Sequence, residues 1–255
     1  MAIEIAPVRA LRAGRPPAWS RKSSTQVDDR RIRALQRQFQ PLFFTKEEAL
    51  VVTEPTNSRF AVYLIPPYKV ARAVAEIHQM LRKQFGFIAA DQFQVHATIK
   101  GFFKKIPGSL EPLVERLDAV FAAQRPFPVH FNGVGRTNLG IGLDIFRIAG
   151  GPHPEMVMLR ERVVDAVRPF IAPDCDFVEE DLGQPFWAHI TLAFRDIPPT
   201  MQDEVLDYLQ EAPLPTEPFV ADTFHFLEFF SQDWEGDWEQ TLTWRLLKSW
   251  RAQEE

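Results

Sequence analysis

Two stretches of this chain alternate polar and apolar residues with a period of two, and each places a histidine two positions before a threonine. The first is Gln94-Val95-His96-Ala97-Thr98-Ile99 and the second Trp187-Ala188-His189-Ile190-Thr191-Leu192, with the histidines 189 − 96 = 93 residues apart. A period of two is the mark of a β-strand, whose successive side chains point to opposite faces. His96, Thr98 and Lys100 are therefore expected on one face, and Val95, Ala97, Ile99 and Gly101 on the other. The same parity groups Trp187, His189, Thr191, Ala193 and Arg195 against Ala188, Ile190, Leu192 and Phe194. Any fold of this chain has to bury one side of both strands and leave a titratable ring, a hydroxyl and a cation on the other.

The elements around the two strands recur in a similar order. Residues 60–65 form a short apolar run that ends at Pro66-Pro67, as a buried strand does. Val70, Val74, Ile77, Leu81 and Phe85 then follow at helical spacing, with Gly86 placed to end the helix. Ser109 can cap a second helix whose Leu113, Leu117, Val120 and Phe121 share a face before Pro126. Residues 127–134 and 139–148 are expected as an antiparallel pair around the turn-like Gly135-Arg136-Thr137-Asn138. In the second half a helix is expected over 155–170, and Thr200 with Asp203 resembles a capping box ahead of Val205, Leu206 and Leu209. Two closing strands, 219–230 and 238–250, flank an acidic turn. This pattern predicts an α+β, bilobal fold over residues 58–255: two pseudo-symmetric lobes of antiparallel sheet with flanking helices and a central cleft.

Residues 1–57 differ in character and are predicted to be a basic N-terminal extension. The first 25 or so have little apolar periodicity and suggest a flexible tail, while Ile32, Leu35, Phe39 and Leu42 suggest a short amphipathic helix. From Met1 to Thr45 nine basic residues face three acids, a balance of +6, whereas the remainder carries 29 − 9 = 20 basic and 34 − 3 = 31 acidic residues, or −11. The extension can be an arm that contacts RNA or an acidic surface, or a helix packed on the domain with a solvated arginine face. An anionic ligand of the body must be held by a few placed groups. No apolar run approaches the roughly 18 residues that would cross a bilayer, and no leader pattern precedes a small-residue cleavage site. With Cys175 as the only cysteine, a reducing environment fits, so the protein is expected to be cytoplasmic and without a membrane partner.

Displacement at a phosphodiester needs one proton removed from the attacking oxygen and another delivered to the leaving oxygen, by groups that titrate near neutrality. Histidine, with an ordinary pKa of about 6.5, meets that need. The threonine hydroxyls can donate to phosphate oxygens, Lys100 and Arg195 can oppose the developing charge, and Trp187 can stack a base or pack the cleft wall, with Tyr63 in a similar position. The tripeptide alone is a weak motif; its occurrence mid-strand at matching places in two similar halves strengthens it.

These residues resemble the two-histidine (2H) phosphoesterase superfamily, which includes 2′-5′ RNA ligase-like proteins and 2′,3′-cyclic nucleotide phosphodiesterases and is marked by paired His-x-Thr/Ser motifs. The likeness spans about residues 60–250. It implies that His96 and His189 are acid and base, with the assignment set by reaction direction, and that Thr98 and Thr191 hold phosphate oxygens. The implied substrate is RNA or a nucleotide with a 2′-linked or cyclic phosphate, processed without a metal or other cofactor. No Gly-rich phosphate loop points to ATP.

His130 and His225, on strands, are expected to be structural, while His78 on a helix and His153 in a glycine-rich loop have no partner at metal-ligand spacing. Acidic neighbours argue against Cys175 as a nucleophile. Two rivals follow from the same residues, a noncatalytic RNA-binding module and a metal-dependent hydrolase that uses both histidines as ligands.

Overall fold

The structure, a computed structural model, describes residues 58–137, 139–177 and 185–253, which fall within one unit, Thr53–Glu255. The expectations for the N-terminal extension and for Asn138 lie outside the described residues.

The backbone of the fold is a seven-stranded sheet in the order β11-β10-β1-β2-β8-β5-β4. Its strands are β1 (Ser58–Ile65), β2 (Ala97–Phe103), β4 (Val134–Thr137), β5 (Gly140–Asp144), β8 (His189–Ala193), β10 (Thr223–Phe230) and β11 (Thr243–Arg251); the short strands β3 (Phe127–Val129) and β9 (Phe219–Ala221), and β6 (Arg147–Ile148) and β7 (Gly151–Pro152), pair outside it, and every pairing is antiparallel. The two halves inferred from the sequence are thus one continuous sheet. They join where β2 meets β8, through the single pair Ala97–Ile190.

Among the described residues four α-helices support it: α1 (Tyr68–Phe85), α2 (Glu111–Ala122), α3 (Pro154–Val167) and α4 (Gln202–Gln210). Their stripes are the predicted ones. Val70, Val74, Ile77 and Leu81 of α1 and Leu113, Leu117 and Phe121 of α2 are buried, and Gly86 ends α1 in the left-handed conformation at φ 81° that glycine adopts without strain. The helices cover one face of the sheet, where Val62, Leu64, Ile99, Ile141, Ile190 and Leu192 join them in the main core. A smaller aromatic core, with Tyr63, Phe229, Trp234 and Trp238, lies on the opposite face of β1 and β10. The catalytic candidates lie on that second face.

Three local expectations are corrected. The strand from Phe127 is short and pairs with residues 219–221, not with 139–148, because Val134 to Thr137 already fills that place as β4. Gly135, Arg136 and Thr137 are therefore strand residues. The predicted capping box fails as well: α4 starts after a 3₁₀ turn, Pro199–Met201, with no side-chain cap on its first turn. Among the described residues no helix is long and apolar enough to cross a membrane.

Candidate active site

The seam between β2 and β8 positions the two motifs. Carrying the Ala97–Ile190 register one residue to either side sets His96 opposite Thr191 and Thr98 opposite His189, all four on the same face of the sheet. Each imidazole therefore has the hydroxyl of the other motif as its cross-strand neighbour. The arrangement has a local twofold axis through the seam.

Both rings are held by the same backbone device. His96 Nδ1–H donates to the carbonyl of Gln94 at 2.6 Å, and His189 Nδ1–H donates to the carbonyl of Trp187 at 2.9 Å, in each case the residue two positions earlier. A carbonyl can only accept, so Nδ1 keeps its hydrogen and Nε2 is the nitrogen left to exchange protons with a ligand.

His96, Thr98, Trp187, His189, Thr191 and Arg195 all line one cavity of about 700 Å³. Lys100, the remaining sequence candidate, does not. The register of β1 with β2 slips after Tyr63–Thr98, so that Val62 meets Lys100 and Ile99 is the extra residue of a bulge. The slip reverses the parity. Lys100 turns to the helix-covered face, fully buried, and its Nζ donates to the carbonyl of Gly101 at 3.0 Å. A matching slip follows Thr191, where Leu192 is the extra residue and Ala193 turns into the core. Arg195, beyond the end of β8, reaches the cavity with Glu239 at 3.8 Å and the Trp238 ring at 5.6 Å.

The immediate supports of the two rings are less visible in the sequence. Tyr63, a secondary candidate there, stacks on His96 with ring centroids 3.6 Å apart and planes 16° apart. His189 instead lies over Gly142, where an added Cβ would come within 2.7 Å of its Cδ2. His225 Nδ1 meets the Gln94 side-chain oxygen at 3.0 Å, steadying the residue that holds His96. His78 Nε2–H donates to the carbonyl of Thr191 at 3.0 Å. The sequence marks neither of these histidines as part of the site; only the identity of their partners ties them to it. The weak sequence signal is at Gly142, a glycine inside a strand, which often marks a close approach.

Burial pushes the His96 imidazole down to about 4, opposed by its bond to Gln94 and reinforced by the neighbouring His189 and His78. Burial also lowers His189, but there the Trp187 carbonyl and the nearby Asp144 carboxylate work the other way. The rings thus share geometry and differ in charge environment. Among the described residues that line the cavity none is Asp or Glu, whereas Arg136, Arg160 and Arg195 are present, which favours an anionic ligand. Arg136 is paired with Asp203 of α4. Phe93, Phe102, Phe194 and Trp238 give the cavity an aromatic wall. No group of three His, Cys, Asp or Glu side chains among the described residues is arranged to hold a metal ion. Two imidazoles facing a pocket that favours anions can relay protons to and from a bound ester.

The paired His-x-Thr segments, the mark of the two-histidine phosphoesterases, meet across the seam of one sheet. The chain belongs to the 2′-5′ RNA ligase superfamily, whose family model matches residues 66–231, and hence to that phosphoesterase class. The protein TT0787 of Thermus thermophilus is similar in structure, with a TM-score of 0.53 and 18 % identity over 76 % of this chain and 97 % of that one, and it supports the fold. Escherichia coli LigT complexed with 3′-AMP aligns at a TM-score of 0.47 and 15 % identity, over 78 % of this chain and 99 % of that one. Kluyveromyces marxianus Usb1 aligns at 0.35 and 10 %, over 75 % and 99 %. No curated protein sequence matches the chain.

Proposed function

We propose that this protein is a phosphodiesterase that hydrolyses 2′,3′-cyclic phosphates or 2′-5′ linkages of RNA or nucleotides by two-histidine general acid–base catalysis. The observation that carries the reading is the common cavity into which both imidazoles and both threonines face, with each Nδ1 committed to a backbone carbonyl. In the hydrolytic direction His96 takes the proton of the attacking water as the new P–O bond forms, and His189 delivers a proton to the sugar oxygen as the old P–O bond breaks. The charge environments favour that division: the ring beside His189 and His78, whose charges disfavour its own, suits the base, and the ring beside the Asp144 carboxylate, which favours its charged form, suits the acid. Thr98 and Thr191 donate to nonbridging oxygens, and Arg195 offsets their charge.

The test is hydrolysis of a nucleoside 2′,3′-cyclic phosphate and of a 2′-5′ dinucleotide, with and without chelator. Activity is expected to survive the chelator, and His96→Ala or His189→Ala to lower it by about 10² to 10⁴, the range of a lost acid or base. A fall below about tenfold for either variant would overturn the reading.

A further inference from the structure

The seam has little backbone to hold it. β2 and β8 share one Cα pair, and each strand bulges directly after its threonine, at Ile99 and at Leu192. A bulge leaves one residue out of the ladder and lets the strand bend, so the peptides that set the height of each threonine are less constrained than those of a regular strand.

Two side chains act at these places. His78 of α1 donates from Nε2 to the carbonyl of Thr191 at 3.0 Å, and Arg160 of α3 donates from Nη1 to the carbonyl of Ile99 at 2.6 Å. They cross the symmetry of the molecule. Helix α1, from the first half, packs on β8, and α3, from the second, packs on β2. Neither side chain is loosely held: His78 is 5 % exposed, and the Arg160 guanidinium lies 4.7 Å from the centroid of the Phe186 ring. Burial favours the neutral form of His78, which keeps the Nε2–H that the bond requires when Nδ1 is unprotonated.

We propose that His78 and Arg160 are positioning residues, crossed struts by which each half fixes the bulged motif strand of the other and so sets Thr191 and Thr98 at the height of the bound phosphate. The proposal rests on the phosphoesterase reading above. The carbonyl that His78 holds belongs to the same residue whose hydroxyl faces the cleft, so a tilted peptide carries the hydroxyl with it. An error of about 1 Å in such a group costs up to about 10² in rate.

The experiment compares His78→Gln, whose amide nitrogen can replace Nε2, with His78→Asn, which is one methylene shorter, and His78→Leu, which fills the space without a donor. On a 2′,3′-cyclic phosphate the Gln variant is expected within about threefold of the parent kcat, and the Asn and Leu variants about 30- to 100-fold lower with KM nearly unchanged. Arg160→Lys, which keeps a donor and a cation, and Arg160→Met, which keeps neither, should divide in kcat in the same way, with KM also rising in the Met variant because Arg160 lines the cavity. A Leu variant within about threefold of the parent, or a Gln variant as impaired as Leu, would overturn the struts. Amide exchange over 191–193 gives a readout without activity: faster in Asn and Leu, unchanged in Gln, and equal rates in all three would also overturn the proposal. If the parent protein hydrolyses no probe, the phosphoesterase reading fails and exchange alone judges the struts; if Leu does not fold, the Gln and Asn pair decides.

Discussion

Around His96 and around His189 the chain repeats the same backbone and varies what surrounds it. Each ring leans on the carbonyl two residues before it, each threonine is followed by a bulge, and burial runs in the same order along both strands, half-buried at the threonines and closed at the two residues after them. Beside these shared features the neighbours differ. Tyr63, which pairs with Thr98, covers His96 with an aromatic ring, whereas Gly142, which pairs with Thr191, leaves bare backbone beneath His189. Asp144 pairs with His189 and sits buried beside it, while on the other side the chain passes from Ile65 into Pro66-Pro67. The lesson is that a symmetric scaffold places two like groups, and single residues on the flanking strands make them unlike. Acid–base catalysis needs that difference, because one ring has to be protonated while the other is not.

The comparison can be broken most forcefully at Gly142. A methyl group there would come within 3.0 Å of both Cβ and Cγ of His189, so the whole ring must move, and Gly142→Ala is expected to lower kcat by about 10². At Gly135 the nearest atom, on the Trp187 ring, is 3.6 Å from the same added carbon, and Gly135→Ala should stay within about twofold. Equal effects at the two glycines would show that the close approach to His189 is not what matters.

Tyr63→Leu should produce the next largest change, seen in the pH profile of kcat/KM. Burial holds His96 down to about 4, so the base stays neutral well into acid and activity is lost only as pH falls through that value. Opening its surroundings lets the pKa rise towards about 6.5, and the acid limb should move up with it. An unmoved limb would separate Tyr63 from the tuning of His96. Asp144→Asn removes a contribution that raises His189, so the His189 ring should titrate at lower pH by NMR while His96 titrates as before. The smallest effect is expected from Lys100→Met. Its ammonium points away from the cleft, so the rate should change by less than about twofold, and a large loss would restore it as a phosphate contact.

Much of this is legible without any coordinates. The period of two in Gln94 to Ile99 and Trp187 to Leu192, the helical stripes through Val70 and Leu113, and Gly86 as a helix end all follow from local steric and hydrophobic rules; the structure follows the stripes and the helix end, but its two motif strands begin only at Ala97 and His189, so that each histidine stands at or just before the start of its strand and not in the middle. The alternation holds as far as each threonine and fails immediately after it, which is why simple parity puts Lys100 and Ala193 on the wrong face. A bulge counts residues against a partner strand, and a sequence does not say which strand that partner will be. For the same reason the sequence pairs Phe127 with the wrong neighbour.

What the sequence determined by itself is the chemistry available: two imidazoles and two hydroxyls on strands whose other side must be buried, because alternation is a property of the strand alone. What only the tertiary structure decided is how those groups are made to differ and how they are held. Tyr63 over His96, Asp144 beside His189, and His78 on Thr191 join residues 33, 45 and 113 positions apart. Such contacts come from how sheet and helices pack, and that depends on the whole core at once.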